Sequence, residues 1–136
     1  MDDAKKDLAK QRYSILIIDD EKFSINVLAH ILRQDYIIYT AKDGKTGIEI
    51  ANEFNPDIIL LDIIMPEMDG YEVLSALKSS EKTKHIPVIF VTGLDSGGNN
   101  KNDLTSGMAD CIYKPFKASD VREKVDKQIK MVQNRT

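Results

Sequence analysis

Continuous apolar runs alternate along this chain with segments in which apolar residues recur every three or four positions. Runs of four or more aliphatic residues are typical of strands that a parallel sheet buries on both faces. Segments of the second kind are typical of amphipathic helices. The pattern therefore predicts five strands, at residues 14–18, 36–40, 58–61, 86–91 and 111–113.

Helical stripes follow most of these strands. After the first strand, the apolar residues on one side of the predicted helix are Phe23, Val27, Leu28, Ile31 and Leu32. A second helix is expected at 44–54, with inward residues Ile48, Ile50 and Ala51. A third follows Gly70, where Asp69 can act as its cap, and its apolar residues are Val73, Leu74 and Leu77.

Two further helices are expected in the carboxyl-terminal part of the chain, and the sequence favours the first of them less than the second. Residues 95–106 are rich in glycine and asparagine, which disfavour helices, so only a short helix starting near residue 99 or 100 is expected there. The last helix is expected to begin near Ser119 as its N-cap. Its inward stripe consists of Val121, Val125, Ile129 and Val132.

Strand and helix thus alternate five times, which predicts an α/β fold. Such a pattern favours a doubly wound, five-stranded parallel sheet with right-handed crossovers and helices on both faces, the three-layer flavodoxin-like arrangement. The strand order 2-1-3-4-5 is the common solution at this size.

Length and composition favour one soluble domain. The chain has 136 residues, 42% hydrophobic and 30% charged, with a net charge of −3. We expect the domain at 13–133, a solvated lead-in or linker at 1–12 and a short tail at 134–136. The charge does not favour nucleic acid as a direct partner.

The same composition bears on the compartment. No apolar run approaches the ~20 residues of a membrane span, and the first twelve residues lack the apolar core of a secretory signal. The single cysteine, Cys111, cannot form a disulfide within the chain, so a cytoplasmic protein is expected.

Polar residues stand at the carboxyl ends of four predicted strands. Asp19 and Asp20 follow the first strand, Asp62 the third, Thr92 the fourth and Lys114 the fifth. Each has a simple explanation as a cap or a loop residue, but a parallel sheet brings all five to one edge, where such sheets bind ligands. Carboxylates that converge repel one another or bind a cation. Mg²⁺, which takes one or two carboxylates together with phosphate and water oxygens, is the natural candidate, and Mn²⁺ is a second.

Four motifs give the chain a family resemblance. They are Ile-Ile-Asp-Asp-Glu, Leu-Leu-Asp-Ile-Ile-Met-Pro-Glu-Met-Asp-Gly, Phe-Val-Thr-Gly and Tyr-Lys-Pro-Phe. In this order and spacing the chain resembles the receiver domain of response regulators in two-component phosphorelays, over about residues 14–132.

The resemblance implies a role for each residue at the predicted edge. Asp62 matches the phosphoacceptor, Thr92 the hydroxyl that binds the phosphoryl group, and Lys114 the ammonium that pairs with it. Asp20 matches the direct metal-binding acid and Asp19 the second acid. The backbone carbonyl of Ile64 matches a further Mg²⁺ ligand, beside Asp62 itself.

The resemblance also implies the partners and a local backbone feature. A sensor histidine kinase or a histidine phosphotransfer protein would donate the phosphoryl group, and a fused or separate output domain would respond. A cis peptide is expected between Lys114 and Pro115. Ile64 and Leu94, two positions after the phosphoacceptor and the hydroxyl, are apolar and are expected to shield the acyl phosphate from water.

One position departs from the family pattern. Three residues before the lysine the family usually has an aromatic residue that moves on activation, and here that residue is Cys111. We interpret Cys111 as a small buried hydrophobe. The coupled motion of hydroxyl and aromatic ring is therefore in question for this chain.

Three other functions fit parts of the pattern. A haloacid-dehalogenase-like phosphohydrolase also uses an aspartate at a strand end, but it needs an acid two positions later, where this chain has Ile64. A nucleotide or flavin binder needs a glycine-rich first turn, where this chain has an acidic one. A degenerate receiver that serves only as a scaffold does not need the complete set of acids, hydroxyl and lysine.

Overall fold

Strands and helices alternate along the described part of the chain, as the apolar pattern predicts. The structure, a computed structural model, describes residues 12–93 and 107–134. In chain order the elements are β1 (Ser14–Ile18), α1 (Lys22–Leu32), β2 (Ile37–Ala41), α2 (Gly44–Phe54), β3 (Ile58–Leu61), α3 (Gly70–Lys78), β4 (Val88–Thr92), β5 (Asp110–Tyr113) and α4 (Ala118–Asn134).

All strand pairs in the sheet are parallel, and the strand order is β2-β1-β3-β4-β5. The predicted order and fold class are therefore confirmed. The register aligns Ile18 with Leu61 and Leu61 with Phe90. Because β1 and β3 end at the same level, the residues that follow them leave the sheet side by side.

Both faces of the central strands are buried because helices cover the sheet on either side. On one face, alternate strand residues such as Leu16, Leu61 and Phe90 pack in a cluster with residues of α2 and α3. The intervening residues, such as Ile17 and Leu60, pack in a second cluster with residues of α1 and α4. Such two-sided burial explains why these strands are continuous apolar runs rather than alternating ones.

The stripe predicted for α1 is partly wrong. Phe23 is 80% exposed, and the buried apolar residues of this helix are Ile25, Leu28, Ile31 and Leu32. Val27 is only half-buried. Ile25 and Leu28 lie on the face of the helix that packs against the sheet, so Phe23 in the first turn points away from the sheet.

Several predicted boundaries shift by one or two residues. β2 begins at Ile37 and β5 at Asp110. β4 begins after Pro87, which lacks an N–H for the ladder, and it includes Thr92. Ser119 lies inside α4, which begins one residue earlier, so it is not the residue before the helix.

Helix caps confirm other parts of the pattern. Asp69 accepts a hydrogen bond from the backbone N–H of Glu72, and the Glu72 carboxylate accepts one from the backbone N–H of Asp69. This capping box fixes the start of α3. Asn55 ends α2 in the left-handed conformation, with φ of 48°.

Two predictions lie outside the described residues: the short helix expected within 95–106 and the shielding role of Leu94. Within residues 12–93 and 107–134, every helix is too short or too polar to cross a membrane. The expected boundaries at 12/13 and 133/134 stay predictions.

Candidate functional site

The predicted acids and the lysine meet at the carboxyl edge of the sheet. The Lys114 ammonium, which follows β5, lies 3.1 Å from Asp19 Oδ2 and 3.6 Å from Asp62 Oδ2. Asp19 and Asp62 are 1% and 5% exposed, whereas Asp20 is exposed. Thr92 is fully buried at the end of the neighbouring strand β4. The structure thus gathers four of the five strand-end residues around one point and places the fifth on the adjacent strand.

Backbone contacts fix the loop that carries Asp62. The Asp62 N–H donates to the Ile18 carbonyl at 2.9 Å, and the Gly70 N–H donates to the Ile63 carbonyl at 2.7 Å. A Cβ at Gly70 would lie 2.5 Å from the Asp62 carbonyl oxygen. Residue 70 must therefore be glycine for α3 to pack this closely under the loop.

The site is short of positive charge. Burial and the neighbouring Asp19 carboxylate raise the pKa of Asp62 to about 6, and the Lys114 ammonium and the Ile64 backbone N–H offset this only in part. Burial disfavours the charged form of Lys114, but the hydrogen bond to Asp19 and the charge of Asp62 outweigh it, so the pKa of Lys114 lies above its usual value.

The arrangement of acids fits a divalent cation. Asp19, Asp20 and Asp62 each offer a carboxylate oxygen, and the three oxygens lie within 4.8 Å of one another. Hard oxygen donors at this spacing are the ligands that Mg²⁺ and Mn²⁺ prefer. A pocket of about 380 Å³ opens beside them, lined by Asp20, Glu21, Asp62, Ile64, Gly93 and Lys114. The acidic triad can therefore hold a metal ion that remains open to a further ligand.

Glu21 is also part of the site, although the motifs do not predict a role for it. Its Oε1 lies 3.1 Å from the Lys114 ammonium, as close as Asp19 Oδ2. Its backbone N–H donates to Asp19 Oδ1 at 2.9 Å. The only sequence signal was its place as the third acid of the run that follows β1.

Cys111 is buried, as interpreted from the sequence. It is 6% exposed and lies beside Phe90 in the register of β4 and β5. Burial raises the pKa of the Cys111 thiol. The Lys114–Pro115 peptide is cis, as the family resemblance implies.

Comparison with known proteins gives the same identification. The family model described as "Response regulator receiver domain" matches residues 15–126. "Response regulator PleD" of Caulobacter vibrioides is 42% identical over 75% of this chain and 23% of its own length. "Chemotaxis protein CheY" of Halobacterium salinarum is 32% identical over 87% of this chain and 95% of its own length. The signal receiver domain of the putative Luxo repressor protein from Vibrio parahaemolyticus superposes with a TM-score of 0.83, at 22% identity, over 91% of this chain and 95% of that one.

The comparisons differ in how much of each relative they cover. The chain spans about a quarter of the length of the first curated relatives, 25% and 23%. It spans nearly all of the chemotaxis protein. The family model matches most of the described fold, and the matched residues include the whole acidic edge. This chain therefore belongs to the response regulator receiver domains, a family of signalling modules that pair with histidine kinases.

Proposed function

We propose that this chain accepts a phosphoryl group on Asp62 from a phosphohistidine of a sensor histidine kinase or a histidine phosphotransfer protein. The observation that carries the proposal is the position of Asp62: a nearly buried carboxylate at a strand end, between the Asp19 carboxylate and the Lys114 ammonium. The ammonium can offset the charge of an anionic phosphoryl donor, and the neighbouring carboxylate can help to bind the cation that such an attack needs, so the arrangement suits a phosphoacceptor better than a structural role.

In the proposed reaction, an Asp62 carboxylate oxygen forms a bond to phosphorus while the P–N bond of the donor breaks. The imidazole leaves with the electron pair of that bond. Lys114 and the Thr92 hydroxyl bind the equatorial oxygens of the transferred group, where negative charge is spread. Asp19, Asp20, Asp62 and the Ile64 carbonyl would hold Mg²⁺, which would supply further positive charge at the site. Positive charge is required because the negative charges of Asp19 and Asp20 would otherwise repel an anionic donor.

The product adds negative charge and strong hydrogen-bond acceptors at the edge of the sheet. Thr92 ends β4 and Lys114 follows β5. New contacts from one phosphoryl group would therefore change the positions of both strand ends at once. Such a local change can alter the binding of an output domain, whether fused or separate, and we propose that this is the output of the switch.

The competing functions receive less support from the described residues. A phosphohydrolase of the haloacid-dehalogenase type would need an acid at position 64, where the chain has an isoleucine that is 59% exposed. A scaffold without phosphoryl chemistry leaves the convergence of Asp19, Asp62 and Lys114 unexplained.

Intact-mass measurement after incubation with acetyl phosphate and Mg²⁺ tests the proposal. The wild-type chain is expected to gain the mass of one phosphoryl group, and Asp62→Ala is expected to gain none. Asp35→Ala, which removes an exposed acid outside the site, serves as the control and should behave like the wild type.

Each alternative predicts a different result in the same experiment. A scaffold gains no mass in any variant, and a phosphohydrolase releases inorganic phosphate continuously from acetyl phosphate. Phosphorylation of Asp62→Ala to the wild-type level would show that another residue is the acceptor.

A further inference from the structure

The Lys114 ammonium is shared between a buried and an exposed carboxylate. Asp19 on the inside and Glu21 on the outside each lie 3.1 Å from it, and Asp62 lies farther away, at 3.6 Å. The Asp19 side chain is 1% exposed and the Glu21 side chain is 63% exposed. The inner contact is therefore fixed by packing, whereas the outer one can be made and broken at the surface.

Local structure directs Glu21 toward this contact. Glu21 precedes the first turn of α1, but its side chain makes no capping hydrogen bond to the helix. Its backbone N–H is held by the Asp19 carboxylate at 2.9 Å, and the Ser24 hydroxyl approaches its Oε1 at 3.5 Å. The backbone contact fixes Glu21 at a position from which its carboxylate reaches the ammonium.

The Glu21–Lys114 pair also divides two cavities. Both residues line the acidic pocket that contains Asp62, and both line a more apolar groove of about 440 Å³ on the other side. The groove is completed by Phe23, Ser24, Val27, Pro115 and Phe116. A donor that approaches Asp62 past the Glu21–Lys114 pair therefore encounters one negative and one positive charge.

We propose that Glu21 is a positioning residue that sets the donor preference of the site, an inference that rests on the proposed function. By holding the Lys114 ammonium and adding a negative charge at the mouth of the pocket, Glu21 weakens the attraction that the site exerts on small dianionic donors. Donors in which phosphorus is bound to nitrogen carry less net negative charge near neutral pH, so Glu21 hinders them less. Glu21 thus shifts the preference of the site away from acyl phosphates and toward phosphoramidates, the class to which phosphohistidine belongs.

The test compares two small donors at saturating Mg²⁺ and neutral pH: acetyl phosphate, a dianion, and phosphoramidate, which carries a lower charge. Initial rates of mass gain are measured for the wild type, Glu21→Gln, Glu21→Asp and Glu123→Gln. Glu21→Gln keeps the size of an exposed side chain, and Glu123→Gln makes the same charge change on the exposed surface of α4.

We expect Glu21→Gln to raise the rate with acetyl phosphate by about three- to tenfold, the effect of removing one charge at the mouth of a cleft, and the rate with phosphoramidate by less. The ratio of the two rates therefore shifts toward acetyl phosphate, and added salt reduces the shift. Glu21→Asp, which keeps the charge, should retain the wild-type ratio, as should Glu123→Gln.

Two results would overturn the inference while leaving the proposed function intact: a ratio that does not change in Glu21→Gln, or an equal loss of rate with both donors, which is the mark of a structural role. If the wild type gains no phosphoryl group from either donor, the proposed function fails and this inference fails with it.

Discussion

At the scale of single residues, the ionised Asp62 carboxylate that the proposed function needs lowers the stability of the folded chain. A carboxylate that shares a buried site with Asp19 is harder to ionise in the folded chain than in the unfolded one, and its pKa rises to about 6. In the absence of metal we therefore expect Asp62→Asn to raise the free energy of unfolding at neutral pH by about 1–3 kcal/mol. Urea unfolding of the two proteins measures the difference.

The same shift fixes how this difference depends on pH. Because the folded chain binds the Asp62 proton more tightly than the unfolded one, lowering the pH stabilises the wild type relative to Asp62→Asn. The gap between the two proteins should narrow as the pH falls from about 7.5, through 6, toward 4. Saturating Mg²⁺ should narrow it as well, since the metal stabilises the ionised acids. A gap that stays constant over this range would show that the pKa of Asp62 is not raised in the folded chain.

Asp20 is the exposed member of the acidic triad, so its replacement should affect metal binding more than folding. We expect Asp20→Ala to weaken Mg²⁺ binding by about 10- to 100-fold, the loss that follows from disturbing a metal site. Calorimetric titration with Mg²⁺ measures the affinity, and Asp35→Ala is the matched surface control. Equal affinity in the wild type and Asp20→Ala would remove this residue from the metal site.

At the scale of elements, the start of α3 supports the loop that carries Asp62. A Cβ at Gly70 would lie 2.5 Å from the Asp62 carbonyl oxygen and 2.7 Å from the Ile63 Cα, and neither backbone atom can move aside cheaply. We expect Gly70→Ala to lower the free energy of unfolding by about 2–3 kcal/mol. Because it displaces Asp62, we also expect it to slow phosphorylation about tenfold or more.

Gly93→Ala is the matched control for stability, since a Cβ at Gly93 would meet open space. Its free energy of unfolding should stay within about 0.5 kcal/mol of the wild type. Chemical unfolding and the initial rate of mass gain are measured on both variants. A Gly70→Ala protein with wild-type stability would mean that α3 can move away from the loop without cost.

The elements also show what the sequence could and could not predict. Strands buried on both faces are predictable from the sequence because continuous aliphatic runs rarely form anything else in a domain of this size. The side of α1 that faces the sheet was harder to predict. Five residues at about 100° each place Phe23 about 140° from Leu28, so the two cannot share a narrow buried stripe. Counting angles from the centre of the stripe would have excluded Phe23 and included Ile25.

The acidic edge was predictable for a topological reason. Parallel strands end at one edge, so residues that follow different strands must come together there whatever the details of packing. The contact of Glu21 with Lys114 depends instead on side-chain conformation at the surface, where several arrangements of a long carboxylate are similar in energy. Hence the sequence indicated Asp19, Asp62 and Lys114 but not the outer partner of the lysine.

At the scale of the whole molecule, one tyrosine joins three parts of the fold. Tyr36, just before β2, donates a hydrogen bond from its hydroxyl to the Asp126 carboxylate on α4. Its carbonyl accepts a hydrogen bond from the Arg12 guanidinium at 2.9 Å, and Arg12 also binds the Arg33 carbonyl at the end of α1. Burial and the Asp126 carboxylate raise the pKa of Tyr36, so the hydroxyl remains a donor at all moderate pH values.

We expect Tyr36→Phe to lower the free energy of unfolding by about 1 kcal/mol, because the hydrogen bond to Asp126 is lost and water replaces it at the exposed carboxylate. Tyr39→Phe, which keeps the stacking of that ring on Phe54 at 4.9 Å, is the control. Phosphorylation should proceed at the wild-type rate in both variants, since Tyr36 lies at the amino edge of the sheet. Equal stability of Tyr36→Phe and the wild type would show that the hydroxyl contributes nothing to the joining of these elements.

The path of the chain determines on which side of the sheet another domain can be covalently attached. Arg12 precedes β1, and α4 runs back from the acidic edge to Asn134, so both ends of the described fold lie at the amino edge. Five residues of strand separate that edge from Asp19 by about 17 Å. A covalent neighbour attached through either end would therefore leave the acidic pocket accessible. The match covers nearly all of one relative and about a quarter of another, and attachment at the amino edge is compatible with both arrangements.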